Sequence, residues 1–285
     1  MLLTENRVEE AITCFQRALL SPGRSPELTA YCYERLGFVA FYEMRDSAGA
    51  LSFLIKAIDT YPAAAPRLWL VQVHTLRSRV LRETRQYEAA LDAAEAALTV
   101  AQAAGSEGKI GLADALLTAG ETTAEFRGNE HETIAYLTQF LQISRKPLGV
   151  DVTWSRVQEM LGDAYSKTGQ HQQAVGAYQA ALRYNPYHPW EQSLDYRIAR
   201  NYYQLGDYPK AIAQLDKLIK ATEADGQTIS DYRIFNVLGN ALFALGQYPR
   251  AMQAYQSAIE IAPPNVNVTR IHEYYQFARE QTRPA

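Results

Sequence analysis

The residues best equipped for chemistry in this sequence are hydrogen-bond donors and cations suited to holding a ligand. Asn236 and Asn240 stand four apart, so a helix sets their amides one turn apart on one face, each able to pair with a peptide backbone group. Arg197, Arg200 and Arg233 offer planar guanidinium forks that match a carboxylate. Tyr31, Phe38, Phe41 and Tyr42 form an apolar set for anchor side chains. Nothing comparable exists for catalysis. The chain has no Gly-rich phosphate loop, paired-His zinc motif, Cys-x-x-Cys pair or nucleophile elbow. Its five histidines, His74, His131, His171, His188 and His272, are scattered, so the expectation is no enzyme, no metal and no cofactor.

Donors at such spacing need helices to carry them, and the stretch from Trp154 to Pro186 shows how the helices are made. Gln158, Leu161, Gly162 and Tyr165 fall at i, i+3, i+4 and i+7, and Ala174, Tyr178 and Ala181 form a second stripe. Gly162, Ala174 and Ala181 are small where two antiparallel helices must close together, while Leu161, Tyr165 and Tyr178 fill the flanks. Gly169 suits a left-handed helix cap, and Asn185-Pro186 stops the second helix.

With Leu161-Gly162, Tyr165, Gly169, Ala174, Tyr178, Ala181 and Pro186 so placed, the stretch resembles the tetratricopeptide repeat (TPR), a helix-turn-helix unit of roughly 34 residues. Variants of the pattern recur. Arg7 onward matches a second helix through Ala11, Phe15 and Ala18, its partner missing or reduced to the first six residues, which reads as truncation, a start inside a larger protein, or a degenerate cap. Leu36-Gly37, Ala50, Leu54 and Ala57 make a unit with one residue inserted near Arg45-Asp46-Ser47. Pro66 opens the next, in which Ser78 takes the small-residue place and an Ala-rich helix runs to Gly105. Between Lys109 and Pro147 the signature is blurred: Leu116, Leu117, Gly120 and Ala124 make one helix and Ile134, Leu137, Phe140 and Leu141 another, in an uncertain register. Units built on Ala199 and on Gly239 follow, with Pro209 and Pro249 in first helical turns. They are spaced 37 and then 40 positions apart, the extra residues lying at His188-Pro189-Trp190-Glu191 and near Gly226. A last amphipathic segment with Ile271, Tyr274 and Tyr275 reads as a shield for the final repeat.

The resemblance implies an all-α fold, a right-handed superhelical solenoid of antiparallel helix pairs over residues 1–265, followed by a capping helix and tail over 266–285. Its divisions are a half repeat at 1–25 and units at about 26–65, 66–107, 108–149, 150–188, 189–227 and 228–265. It also implies a non-enzymatic protein-protein interaction scaffold that holds a peptide or protein segment in a concave groove. The alternative is the sensor or regulatory TPR portion of a larger signalling or transcriptional protein. Helical geometry sets Arg156, Glu159 and Asp163 on the side away from the paired helix, with Tyr196, Arg200 and Tyr203 equivalent in the next unit and Arg233, Asn236 and Asn240 in the last. Arg197 borders the same wall. The peptide-binding candidates are therefore Arg156, Tyr196, Arg197, Arg200, Tyr203, Arg233, Asn236 and Asn240, facing partners that include acidic or C-terminal carboxylate groups. The bland alternative pairs these arginines with Glu159 and Asp163 as internal ion pairs. Earlier units add Tyr31, Glu34, Phe38, Phe41 and Tyr42, then Gln72, Thr75, Arg79 and Arg82. The lysine and asparagine places of the carboxylate clamp used by chaperone-binding TPR domains hold Glu159 and Asp163 here, which argues against that clamp.

Composition agrees with a soluble protein partner. The chain has 285 residues, 47% hydrophobic and 21% charged, enough for a large core. Its net charge of -3 supplies no basic footprint for nucleic acid, and no apolar run suits a membrane or a leader. Cys14 and Cys32 read as small buried hydrophobes, which fits a reducing, cytoplasmic setting.

Overall fold

A computed structural model describes residues 7–62, 67–105, 109–126, 128–186 and 191–282. They form two units, residues 1–146 and 147–285. Every regular element among the described residues is an α-helix. The opening six residues, Pro66, and the inserted His188, Pro189 and Trp190 lie outside the described residues.

The first unit runs α1 (Val8–Leu20), α2 (Pro26–Tyr42), α3 (Ser47–Thr60), α4 (Arg67–Glu83), α5 (Tyr87–Ala103), α6 (Lys109–Glu125) and α7 (Glu130–Ile143). Helices α2 and α3, α4 and α5, and α6 and α7 pair as hairpins, and each hairpin packs on its sequence neighbour. The blurred hairpin resolves into a definite register. Gly120 is the position where α7 comes closest, and a Cβ there would stand 2.3 Å from Leu137 Cδ2. Thr133 then occupies the place of Ala174, and its hydroxyl is satisfied by Thr123 Oγ1 at 2.9 Å. Ser78 does hold the small-residue place in α4, donating to the Ala90 carbonyl at 2.7 Å.

The second unit runs α8 (Val152–Lys167), α9 (His171–Tyr184), α10 (Glu191–Gln204), α11 (Tyr208–Ala224), α12 (Tyr232–Ala244), α13 (Tyr248–Ile261) and α14 (Thr269–Gln281). Its hairpins are α8 with α9, α10 with α11 and α12 with α13; α14 packs on α13. Asp151, Asp207 and Asp231 accept first-turn backbone N–H groups of α8, α11 and α12, satisfying donors that helix starts leave open. Gly169, Gly206 and Gly246 end α8, α10 and α12 with φ of 76°, 75° and 70°. That left-handed turn lets Gln170, Asp207 and Gln247 N–H reach back to the carbonyls of Tyr165, Tyr202 and Leu242. Between α2 and α3 and between α4 and α5, Arg45 (φ 55°) and Arg85 (φ 59°) hold the left-handed conformation instead of a glycine.

Alanines make the core. Ala50, Ala57, Ala90, Ala94 and Ala97 are fully buried in the first unit, as are Ala174, Ala181, Ala211, Ala251 and Ala258 in the second. Small side chains at facing positions let helix backbones approach, and Leu54, Leu137, Tyr178, Leu215 and Tyr255 fill the hollows they leave. The cysteines differ from the sequence expectation: Cys32 is buried, but Cys14 is exposed because only Ala11 of α1 turns fully inward.

Candidate functional site

The first helix of each hairpin carries the predicted recognition wall, and the first unit departs from it. Glu34 lies 2% exposed against Arg35, whose guanidinium binds it through two nitrogens and stands over the rings of Tyr31 and Phe38. Phe41 and Thr75 are buried as well. Arg82 reaches across from α4 to bind Glu121 Oε2 at 2.8 Å, with Glu125 at 3.4 Å. Tyr31 and Tyr42 stay exposed.

In the second unit the arginines divide. Arg197 on α10 bridges to α8, with Nη1 3.1 Å from Glu159 and 2.9 Å from Asp163, so its charge is spent inside the stack. Arg233 is held by Asp231 at 2.6 Å, with its guanidinium over the Tyr196 ring. The Asp231 carboxyl sits below its ordinary range, since the hydrogen bonds and charge of Arg233 outweigh its burial. For Arg197 the pairing weighed from sequence is what the structure contains, whereas Arg233 pairs with Asp231, two residues before it, instead of with Glu159 or Asp163. Arg200 and Arg156 are exposed on α10 and α8.

The remaining candidates converge. Tyr203 from α10 and Asn236 and Asn240 from α12 line one cavity of about 490 Å³. Sequence reasoning assigned the opposite wall to shielding, yet α14 faces this cavity with Arg270, Ile271 and Tyr274. Tyr232, Phe243 and Asn267 complete the lining with Ala244 and Tyr255. Phe243 fixes the wall: its ring lies 5.2 Å from Tyr274 and 5.4 Å from both Tyr248 and Phe277, at the tilted and edge-on angles aromatic pairs favour. The signal that marked α14 as amphipathic was visible in the sequence; which helix its other face meets was not.

A second feature missed from sequence joins core to site. A Cβ at Gly162 would stand 2.5 Å from Tyr178 Cε1, and one at Gly239 2.6 Å from Tyr255 Cε1. Each tyrosine ring lies flat over a glycine, and its hydroxyl emerges beside the next residue. Tyr178 Oη donates to Asp163 Oδ1 at 2.6 Å, and Tyr255 Oη donates to Asn240 Oδ1 at 2.9 Å. Burial raises both phenol pKa values, so both remain protonated donors.

No group of three or more His, Cys, Asp or Glu side chains among the described residues is arranged to hold a metal ion. No described helix is long and apolar enough to cross a membrane.

Stacked antiparallel helix pairs closing over glycine or alanine define a helical-repeat protein. The tetratricopeptide repeat family matches residues 155–188 and 196–266, so the chain carries tetratricopeptide repeats there. It is 28% identical over 259 residues to human Superkiller complex protein 3, covering 88% of this chain; the chain spans only 14% of that relative's length. The C-terminal part of a TPR repeat-containing protein from Cytophaga hutchinsonii has the same fold, with TM-score 0.57 and 19% identity over 98% of this chain and 96% of that one. So does YrrB, described as a TPR protein with an unusual peptide-binding site, with TM-score 0.56 and 18% identity over 73% of this chain and 92% of that one.

Proposed function

We propose that this chain is a non-enzymatic interaction scaffold and that its second unit holds a peptide segment of a partner protein against α10, α12 and α14. The observation that carries this reading is the cavity where Tyr203, Asn236 and Asn240 meet the wall of α14. Two amides one helical turn apart match the repeat of hydrogen-bonding groups along an extended chain, and the aromatic wall offers area for an anchor side chain. Support from relatives is of the same kind: YrrB has a peptide-binding site by its description, and Superkiller complex protein 3 is by name a member of a complex.

Of the residues singled out from sequence, Tyr203, Asn236 and Asn240 are the proposed contacts, with Tyr196, Arg200 and Arg156 along the approach. Arg197 and Arg233 shape the wall through their own ion pairs. The test is affinity capture of partners with the intact chain and with the Arg200→Glu/Asn240→Ala variant, with recovered proteins quantified by mass spectrometry. The variant is expected to lose at least one partner by about tenfold, because truncating a buried-edge amide and reversing a charge each remove on the order of 1 kcal/mol or more. Equal recovery of every partner by both proteins removes the proposal.

A further inference from the structure

The cavity has a hydrogen-bonding polarity. Asn240 carries both a donor and an acceptor, and Tyr255 Oη donates to its Oδ1 at 2.9 Å, which holds the oxygen toward Tyr255 and turns the amide nitrogen to a ligand. Arg270 can only donate. Its Nη2 lies 3.4 Å from Tyr274 Oη, which as acceptor keeps its own proton for another partner. Among the described residues no Asp, Glu or Lys lines the cavity, and Arg270 is the one charged residue in its lining. Unlike Arg197 and Arg233, Arg270 makes no ion pair among the described residues; Glu273, on the same helix, acts on it through space.

We infer that this cavity takes the carboxylate side chain of an Asp or Glu within an extended peptide, received by Arg270 and Tyr274 from α14 while Asn240 donates to the peptide backbone. This rests on the peptide-binding reading above and adds the chemistry of the ligand. Charge complementarity selects an anion, and the layout selects its source. Asn236 and Asn240 follow one another along α12, so a backbone held by both continues past the site, whereas Arg270 stands across from them on α14. A group reaching from one wall to the other branches off a continuing chain, as a side chain does and a chain terminus does not. In this arrangement Tyr255 is a positioning residue: it touches no ligand and fixes which end of the Asn240 amide faces out.

The test uses the full chain and pools of hexapeptides blocked by acetyl and amide groups, each pool having Glu, Asp, Gln or Lys at a fixed central position and mixed residues elsewhere. The intact protein is expected to retain the Glu and Asp pools at least about fivefold over the Gln pool, the scale of one charge-assisted hydrogen bond in a partly exposed site. Arg270→Gln abolishes that preference while keeping residual retention. Tyr255→Phe lowers retention of all pools severalfold and leaves the acid preference in place, since the amide is then free to turn. Circular dichroism and melting temperature report whether each variant is folded; Arg270 is exposed, so its variant keeps the fold whatever Tyr255→Phe does. Equal retention of Glu and Gln pools, or enrichment of Lys, overturns this inference and leaves peptide binding standing. A parallel Glu pool with its C-terminus left free is run beside these, and retention of acidic peptides only in that free form also overturns it. No retention of any pool removes both readings.

Discussion

At the scale of single residues, the second unit assigns different work to chemically similar groups by what stands beside them. Arg197, Arg233 and Arg270 are equal in a sequence, but Glu159 with Asp163 occupies the first and Asp231 the second. A guanidinium with its own carboxylate must lose that pairing before it takes a ligand's, so its contribution to binding is small. The first unit holds a residue with a different consequence. His74 on α4 is buried, its Nδ1 has no hydrogen-bond partner, and burial together with Arg77 keeps its pKa below the ordinary value. The folded state therefore favours the neutral ring. The unfolded chain binds the proton more readily, so stability is full above about pH 6.5 and falls as pH drops below it, by at most about 1.4 kcal/mol per pH unit from this group. Urea midpoints of the intact protein and of His74→Leu between pH 7.5 and 5.5 check this: the variant should decline less. Parallel declines would contradict it.

At the scale of helices, the small residues that let the pairs close were legible in the sequence because the close approach admits little else. Gly162, Ala174, Ala181, Gly239 and Ala251 are buried where that requirement places them. The α6–α7 hairpin was obscured because Thr133 stands where alanine is usual, and its polar atom is tolerated because Thr123, ten residues earlier on the facing helix, and the Asn129 carbonyl one turn back both stand within reach as acceptors. No local pattern reveals such a compensation. The recognition wall was legible only in part for a related reason: spacing says which face a side chain leaves from, and the neighbouring hairpin decides whether it meets water or, like Arg82, a carboxylate. The turns carry a prediction. Arg85 holds the left-handed conformation that Gly169, Gly206 and Gly246 supply elsewhere, and a side chain there costs roughly 1 kcal/mol. Arg85→Gly should raise stability by up to about 0.5 kcal/mol after the entropy glycine adds to the unfolded chain, measured as a higher urea midpoint at constant slope. A lower midpoint would mean that the arginine side chain earns its place by a contact.

At the scale of the whole chain, hairpins that pack on their sequence neighbours within each unit make stability a sum of local terms. Damage should then stay near its origin. Gly162→Ala drives a methyl group into the Tyr178 ring and is expected to cost about 1–3 kcal/mol. Native-state hydrogen exchange checks where the loss falls: protection should drop across α8, α9 and α10, while α2 to α5 change less than about twofold. A loss spread evenly through both units would show a cooperativity that nearest-neighbour packing does not provide.

The tyrosines seated over Gly162 and Gly239 link stability to specificity through a single atom each. Asp163 and Asn240 follow those glycines and differ only in an oxygen replaced by an amino group, yet the first gives its second oxygen to Arg197 and the second keeps an amide donor for a guest. One codon therefore sets the use of the position: aspartate after the glycine commits it to an ion pair with the neighbouring hairpin, and asparagine leaves a donor for a guest.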